Sequence, residues 1–450
     1  VLSNSSYVGG LVGLNYSDIT GTTSTIGSTT YATGNVTASS DRVGGLVGSS
    51  EGGTISKVYA TGVVTGGSYV GGLAGYTNSA INTASAMNAV TGVSGSGANT
   101  VYYGVKGTNQ VGGFIGNLWN TTITGATSNT VVLGTGGDVG GFVGRMEYGS
   151  VNTSGSSGSV IGVGSTGGFV GAMTNSSSVT TSYANASVTS TGNNTGGFVG
   201  YFNTSGSITN SRASGSVTGT SAVGGFIGYM AYNGSISNSY ATGMVTATAD
   251  YAGGFLGYAD SVYARTVSDF YAAGAVKGTT NVGGLVGFAD KGTFSRGYST
   301  GMVTSTTSAS SVGATFGGLK PNLVTGNAPN QTTTIYVTRD NLYYDSTTSG
   351  MSTDAAGGGG TGPATGLMTS ALQGTLPHAN FSASTWGTGT GLYPFLKAIY
   401  GSATPQAVYG FAYQADATTV AVRAQVGIYG NGYLLNGGTV TTGANGYFYE

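Results

Sequence analysis

The stretch NNTGGFVGYFNTSGSITNSRASGSVTG, residues 193–219, decides how the chain is to be read. Its core, GGFVG, has already occurred at Gly167 and returns as GGFIG at Gly224. Two glycines, then Leu or Phe, then an aliphatic residue or Ala, then glycine occur ten times, starting at Gly9, Gly44, Gly71, Gly112, Gly140, Gly167, Gly196, Gly224, Gly253 and Gly283. Successive starts lie 35, 27, 41, 28, 27, 29, 28, 29 and 30 residues apart. A period of this length marks a repeat architecture, in which a supersecondary unit that cannot bury its own apolar face stacks on its neighbours.

Within the repeats a second element recurs as YATGNVT at Tyr31, YATGVVT at Tyr59, YATGMVT at Tyr240, YAAGAVK at Tyr271 and YSTGMVT at Tyr298. Runs of Val, Thr and Tyr bounded by Gly, Ser and Asn are strands between turns. No helical period is sustained over residues 1–304. The expected fold is therefore all-β: a parallel β-solenoid in which each strand pairs with its copies in the coils on either side. At roughly 4.8 Å per coil, ten coils would make a rod on the order of 50 Å long. The glycines are expected to supply positive φ at corners and close backbone approach. Phe114, Phe142, Phe169, Phe198, Phe226 and Phe255 share one repeat position and should form an aromatic ladder. The long intervals after Gly9 and Gly71 read as loops on one face.

Composition excludes several alternatives. Glycine makes up 87 of 450 residues, but only 6 are proline and no every-third-residue frame exists, so the chain is not collagen-like. Apolar residues at 39% and 30 tyrosines exclude disorder. With 13 basic and 14 acidic residues, and Arg212 alone charged over 151–249, there is no basic stripe for nucleic acid or an anionic membrane. No run of 18 apolar residues offers a membrane span, and direct membrane insertion is not expected. Without cysteine there are no disulfides or thiol ligands. The first residues, VLSNSSYVGG, and the last, GANGYFYE, read as internal to a longer polypeptide.

Past about residue 304 the motif decays, which divides the chain into three segments: repeats over 1–304, a degenerate repeat and cap over 305–402, and a partial antiparallel β unit over 403–450. In TGLMTSALQG, Leu367, Met368, Ala371 and Leu372 would share one side of a short helix, with Thr365 capping it and Gly374 ending it. Such a helix, with Trp386, would cover the last coil's open edge and core. Asn-Gly pairs at Asn431, Asn436 and Asn445 predict hairpin turns.

The segment GGLVGSSEGGTISKVYATGVVTGGSYVGGLAG, residues 44–75, resembles the GLUG repeat of large bacterial surface and secreted proteins, and NLYYD and GLYPFLK resemble the closing element of such arrays. The resemblance extends to filamentous-haemagglutinin-like adhesins. It implies a right-handed β-helix, export and a surface role, and it supplies no functional residues.

No helix follows the glycine motifs, which argues against a phosphate loop. Ice binding would need ranked Thr-x-Thr, which copies such as YANASVT and RASGSVT lack. His378, the one histidine, reads as a loop residue, and no cofactor or metal is expected. Acids are solitary or beside a base, as in Asp41-Arg42, Asp290-Lys291 and Arg339-Asp340; Asp340 and Asp345 read as turn formers, with a shared cation as the alternative. A polysaccharide-degrading enzyme would need clustered carboxylates. The candidates for contact with glycan are Tyr102, Tyr103, Trp119, Tyr148, Tyr201 and Tyr229, aromatic faces among hydroxyls and amides that could stack on sugar rings. The expected function is thus a structural segment of an adhesin or extracellular fibre at the cell surface, with a surface or extracellular glycan as partner; a self-assembling filament or coat is the alternative.

Overall fold

The computed structural model describes residues 1–94, 100–260, 265–307, 311–325, 332–355, 360–430 and 433–449. Stacked parallel strands form a β-solenoid of about ten turns, divided between two compact units: Val1–Ile208 with Arg212–Gly215, and Thr209–Ser211 with Ser216–Glu450. Among the described residues no helix is long and apolar enough to cross a membrane.

In the first unit each GGxxG motif straddles two short strands. One sheet runs from Val8–Gly9 to Thr195–Gly196, the next from Val12–Asn15 to Val199–Asn203, and both are parallel and in register. The register is strict: Val111 faces Val139 and Gly112 faces Gly140. The apolar residue after the paired glycines points inward, so Phe114, Phe142, Phe169 and Phe198 are fully buried and stack with centroids 4.7, 4.8 and 4.8 Å apart. That spacing is the interstrand distance itself, and offset stacking adds about 0.5–1.5 kcal/mol per pair beyond burial. The second unit repeats the arrangement, with Phe226 and Phe255 stacked at 4.8 Å.

The motif glycines serve close approach and not positive φ. A Cβ on Gly140 would lie 2.0 Å from the Val143 oxygen and 2.8 Å from the Gly171 nitrogen of the next coil. None of the ten lead glycines has positive φ. The left-handed corner falls two residues earlier, on Tyr7, Arg42, Tyr69, Gln110, Asn194, Ala222, Tyr251 and Asn281, with φ between 50° and 65°.

The interval after Gly71 contains an antiparallel pair, Gly92–Ser94 with Val101–Tyr103. The stack also continues past residue 304, since Val312–Gly313 and Phe316–Leu319 pair in register with the coil before them. Val337–Asp345 then pairs with both Gly292–Ser299 and Thr365–Leu367.

The closing segment differs from expectation in several respects. Its helix spans only Thr369–Leu372; Thr365 lies in a strand and the N-cap, Met368, makes no side-chain cap bond. Of the four residues assigned to its apolar side only Leu372 is buried, and Met368 is 65% exposed. Gly374, at φ 83°, does follow the helix end. The aromatic bulk lies sideways, on a tyrosine column of the solenoid flank. Tyr240, Tyr271, Tyr298 and Tyr343 form one core cluster with Leu372, Phe381, Trp386, Tyr393, Leu396 and Tyr447. This clamp is also hydrogen-bonded: Trp386 Nε1 donates to Asp269 Oδ1 at 2.9 Å, and Tyr298 donates its hydroxyl to the Pro394 oxygen at 2.6 Å. Burial, with neighbouring tyrosines adding to it, holds the Tyr271 and Tyr298 hydroxyls well above their ordinary pKa.

Past residue 403 the pairing is antiparallel, Tyr409–Phe411 with Tyr447–Tyr449 and Gln425–Gly430 with Tyr433–Thr441. Asn445 sits in a turn. Asn436 does not: it falls within Tyr433–Thr441, where a register shift between the Gly427–Thr439 and Tyr429–Leu434 pairs absorbs the extra residues. The turn expected at Asn431 lies outside the described residues.

Candidate functional face

The strands that follow the motif glycines align one side chain per coil, just after the last glycine, in a single column: Ser49, Tyr76, Asn117, Arg145, Ala172 and Tyr201 in the first unit, opposite one another in register, with Tyr76, Arg145 and Tyr201 half-buried and Ser49, Asn117 and Ala172 buried. The left-handed corner residues run beside them. Two neighbouring columns therefore make a display face, and side chains bridge them. Arg42 lies 4.5 Å over the Tyr76 ring and 5.1 Å from that of Tyr7, and is paired to Glu51 at 2.6 Å. Asn117 Nδ2 donates to Gln110 Oε1 at 2.7 Å. Arg145 Nε donates to Asp138 Oδ2 at 2.6 Å, with Glu147 3.7 Å away.

At this point the face sinks into a groove of about 410 Å³, lined by Asp41, Ser68, Tyr69, Asn109, Gln110, Gly137, Asp138 and Arg145. Its walls are fixed by bonds between coils: Asp41 Oδ1 accepts from the Ser68 nitrogen at 2.9 Å, and Asn109 Oδ1 from the Gly137 nitrogen at 2.8 Å. Asp138 is only 8% exposed, and burial raises its carboxyl above the ordinary pKa against the opposing pull of Arg145. Such a mixture of a half-buried aromatic ring with fixed donors and acceptors suits a polyhydroxylated ligand.

The sequence candidates distribute unevenly. Trp119 and Tyr148 come together edge to face, centroids 5.4 Å apart, 38% and 49% exposed on adjacent coils. Tyr201 stands in the display column opposite Ala172. Tyr102 is 58% exposed on the inserted antiparallel pair. Tyr103 is corrected: at 7% exposure it is packed with Val63 and Leu133, so it offers no ring face to a ligand. In the second unit Tyr229 stacks on Tyr258 at 5.2 Å and donates to Asp260 Oδ2 at 2.7 Å. Tyr258 donates to Asp290 and touches Tyr251, with centroids 4.9 Å apart; burial first, then that hydrogen bond, raises its pKa.

The acids pair differently from their chain neighbours. Arg339 is bound to Asp354 at 2.5 Å, not to Asp340. Asp345 is fully buried and accepts from the backbone of Thr347 and Thr348 and from Thr369 and Tyr393, whereas Asp340 is exposed. The two do not share a site, and Asp345 is a turn former. Among the described residues no group of three or more His, Cys, Asp or Glu is placed to hold a metal ion. His378 is exposed in its loop, its Nδ1 accepting from the Asn380 nitrogen.

Sequence reasoning missed Asp41, Tyr69, Asn109, Gln110, Asp138 and Arg145. A signal existed: aligning the copies on their paired glycines places Asp138 two residues before one motif and Arg145 just after it, the same spacing as Tyr69 and Tyr76. No curated protein and no solved structure matches the chain. The family model of the GLUG motif matches residues 39–65 and 219–248, each joining a GGxxG strand pair to a YATG element, so the chain carries the GLUG motif at these two places.

Proposed function

We propose that the chain is a structural segment of a secreted or cell-surface bacterial adhesin or extracellular fibre, acting as a rigid stalk whose display face binds glycan at several points. The observation that carries this reading is the face itself: the half-buried side chains of Tyr76, Arg145 and Tyr201 held in one register column beside the corner residues, on ladders that cannot shift independently. Each contact is weak, and linkage along a stiff body multiplies them through avidity. Few charges stand on the surface, so binding should be insensitive to salt. The reading assigns no catalytic step.

The test is binding of the chain to an array of bacterial and host glycans at low and high salt. Saturable, salt-insensitive binding is expected; no binding to any glycan would leave only the stalk.

A further inference from the structure

If the display face binds glycan, as proposed, the groove at Tyr69 determines which glycan it takes. Three observations converge there. First, Tyr69 stands at a left-handed corner, φ 54°, the position taken by Tyr7, Tyr251, Asn194 and Asn281 in other coils, and its half-buried ring joins the lining of the groove.

Second, the one cation among the residues lining the groove is already neutralised. Arg145 is held by Asp138 at 2.6 Å and approached by Glu147 at 3.7 Å, and Asp41 adds another carboxylate to the lining. An anionic sugar would meet net negative charge and a guanidinium whose fork is engaged. Third, the lining alternates carboxylate and amide oxygens with amide and guanidinium N–H groups, which matches hydroxyls that both donate and accept. The volume of about 410 Å³ lies within the roughly 300–1,000 Å³ typical of small-molecule sites.

We infer that the groove binds a neutral pyranoside, its apolar ring face on Tyr69 and its hydroxyls on Asn109, Gln110 and the Asp138–Arg145 pair, and that it rejects uronic, sialic and sulfated sugars. The Asp138–Arg145 pair sets this specificity, because it withholds the positive charge that an acidic sugar needs.

The test uses the whole chain and two sets of short oligosaccharides, neutral hexose oligomers and oligomers of uronic or sialic acid, titrated calorimetrically at low and high salt. Neutral oligomers are expected to bind independently of salt. Tyr69→Asn keeps the corner foldable, as Asn194 and Asn281 show, and should weaken binding about tenfold or more, whereas Met368→Ala, at an exposed position of the closing segment, should leave this site within about twofold. Asp138→Asn frees the guanidinium and is expected to admit acidic oligomers. Neutral oligomers bound equally well by Tyr69→Asn would overturn the groove and leave the adhesive reading standing. Salt-sensitive binding of acidic oligomers by the unaltered chain would overturn the neutral specificity. No binding of any saccharide, on the array or in the calorimeter, would remove the adhesive reading and this inference together.

Discussion

At the repeat position that begins with Tyr31 and Tyr59, the first unit continues with Ser85, Thr127, Gly155, Tyr183 and Arg212, whereas the second unit runs Tyr240, Tyr271, Tyr298, Tyr343 without a break. Both columns obey the same register, and where tyrosines adjoin they stack alike: Tyr31 on Tyr59 at 5.2 Å, Tyr271 on Tyr298 at 5.0 Å. What differs is continuity. The broken column leaves Tyr31 47% exposed beside a Tyr59 that is 4% exposed, while the unbroken one is 2–7% exposed along its whole length beneath Trp386, Phe381, Tyr393 and Tyr447. A column thus becomes a docking strip only when enough adjacent coils contribute rings, because burial energy scales with contiguous apolar area. The coil architecture offers the strip everywhere, and the sequence of each coil decides whether it is used.

The largest expected effect is on the clamp. Trp386→Ala removes a side chain 1% exposed and leaves Asp269 without its indole donor, for a loss of about 3–5 kcal/mol in the second unit. Trp119→Ala, on the bare face of the first, should cost about 1 kcal/mol or less. Hydrogen exchange resolved by strand during denaturant titration measures both, and equal losses would show that the clamp contributes nothing to its unit.

Alkaline pH sharpens the same contrast. Tyr271 and Tyr298 have folded pKa values well above 10.0, so their stabilisation is complete below about pH 10 and declines as pH rises above it, where the unfolded chain releases protons that the folded chain retains. Each contributes a loss of about 1.4 kcal/mol per pH unit in that window. The second unit should therefore lose exchange protection above pH 10 before the first, and tyrosinate absorbance should appear in two steps. A single step near pH 10 with both units intact would show that the clamp does not exclude water.

A comparably small effect has the opposite sign. Tyr69→Asn relieves a bulky residue from a left-handed corner and should stabilise the first unit by about 1 kcal/mol. Destabilisation in thermal unfolding would mean that the ring is held there by packing.

Much of the fold was legible because stacking repeats a single decision. The phenylalanines at one motif position had to form a ladder once coils were parallel and in register, and YATG marked the tyrosine column before its partner was known. The clamp was misplaced because Phe381, Trp386, Tyr393 and Tyr447 carry no period; nothing local distinguishes covering an end from covering a flank. The groove was illegible for another reason. Asp138 and Arg145 are seven residues apart, and Tyr69 lies some seventy residues before them, so only the folding of the chain into coils makes them neighbours. Glycine was half legible: close approach was correct, but positive φ belongs to the residues that begin each corner.

The tight contact at Gly140, where a single added methyl would run into the adjacent coil, also bears on how such a chain can change over time. Nearly every other position in a coil can drift, because each coil answers only to its two neighbours. Duplication or deletion of a whole coil preserves every one of those contacts, whereas loss of part of one breaks register. Length should therefore vary among kindred chains in steps of one coil, about 28 residues, while the paired glycines persist through sequences that otherwise share little.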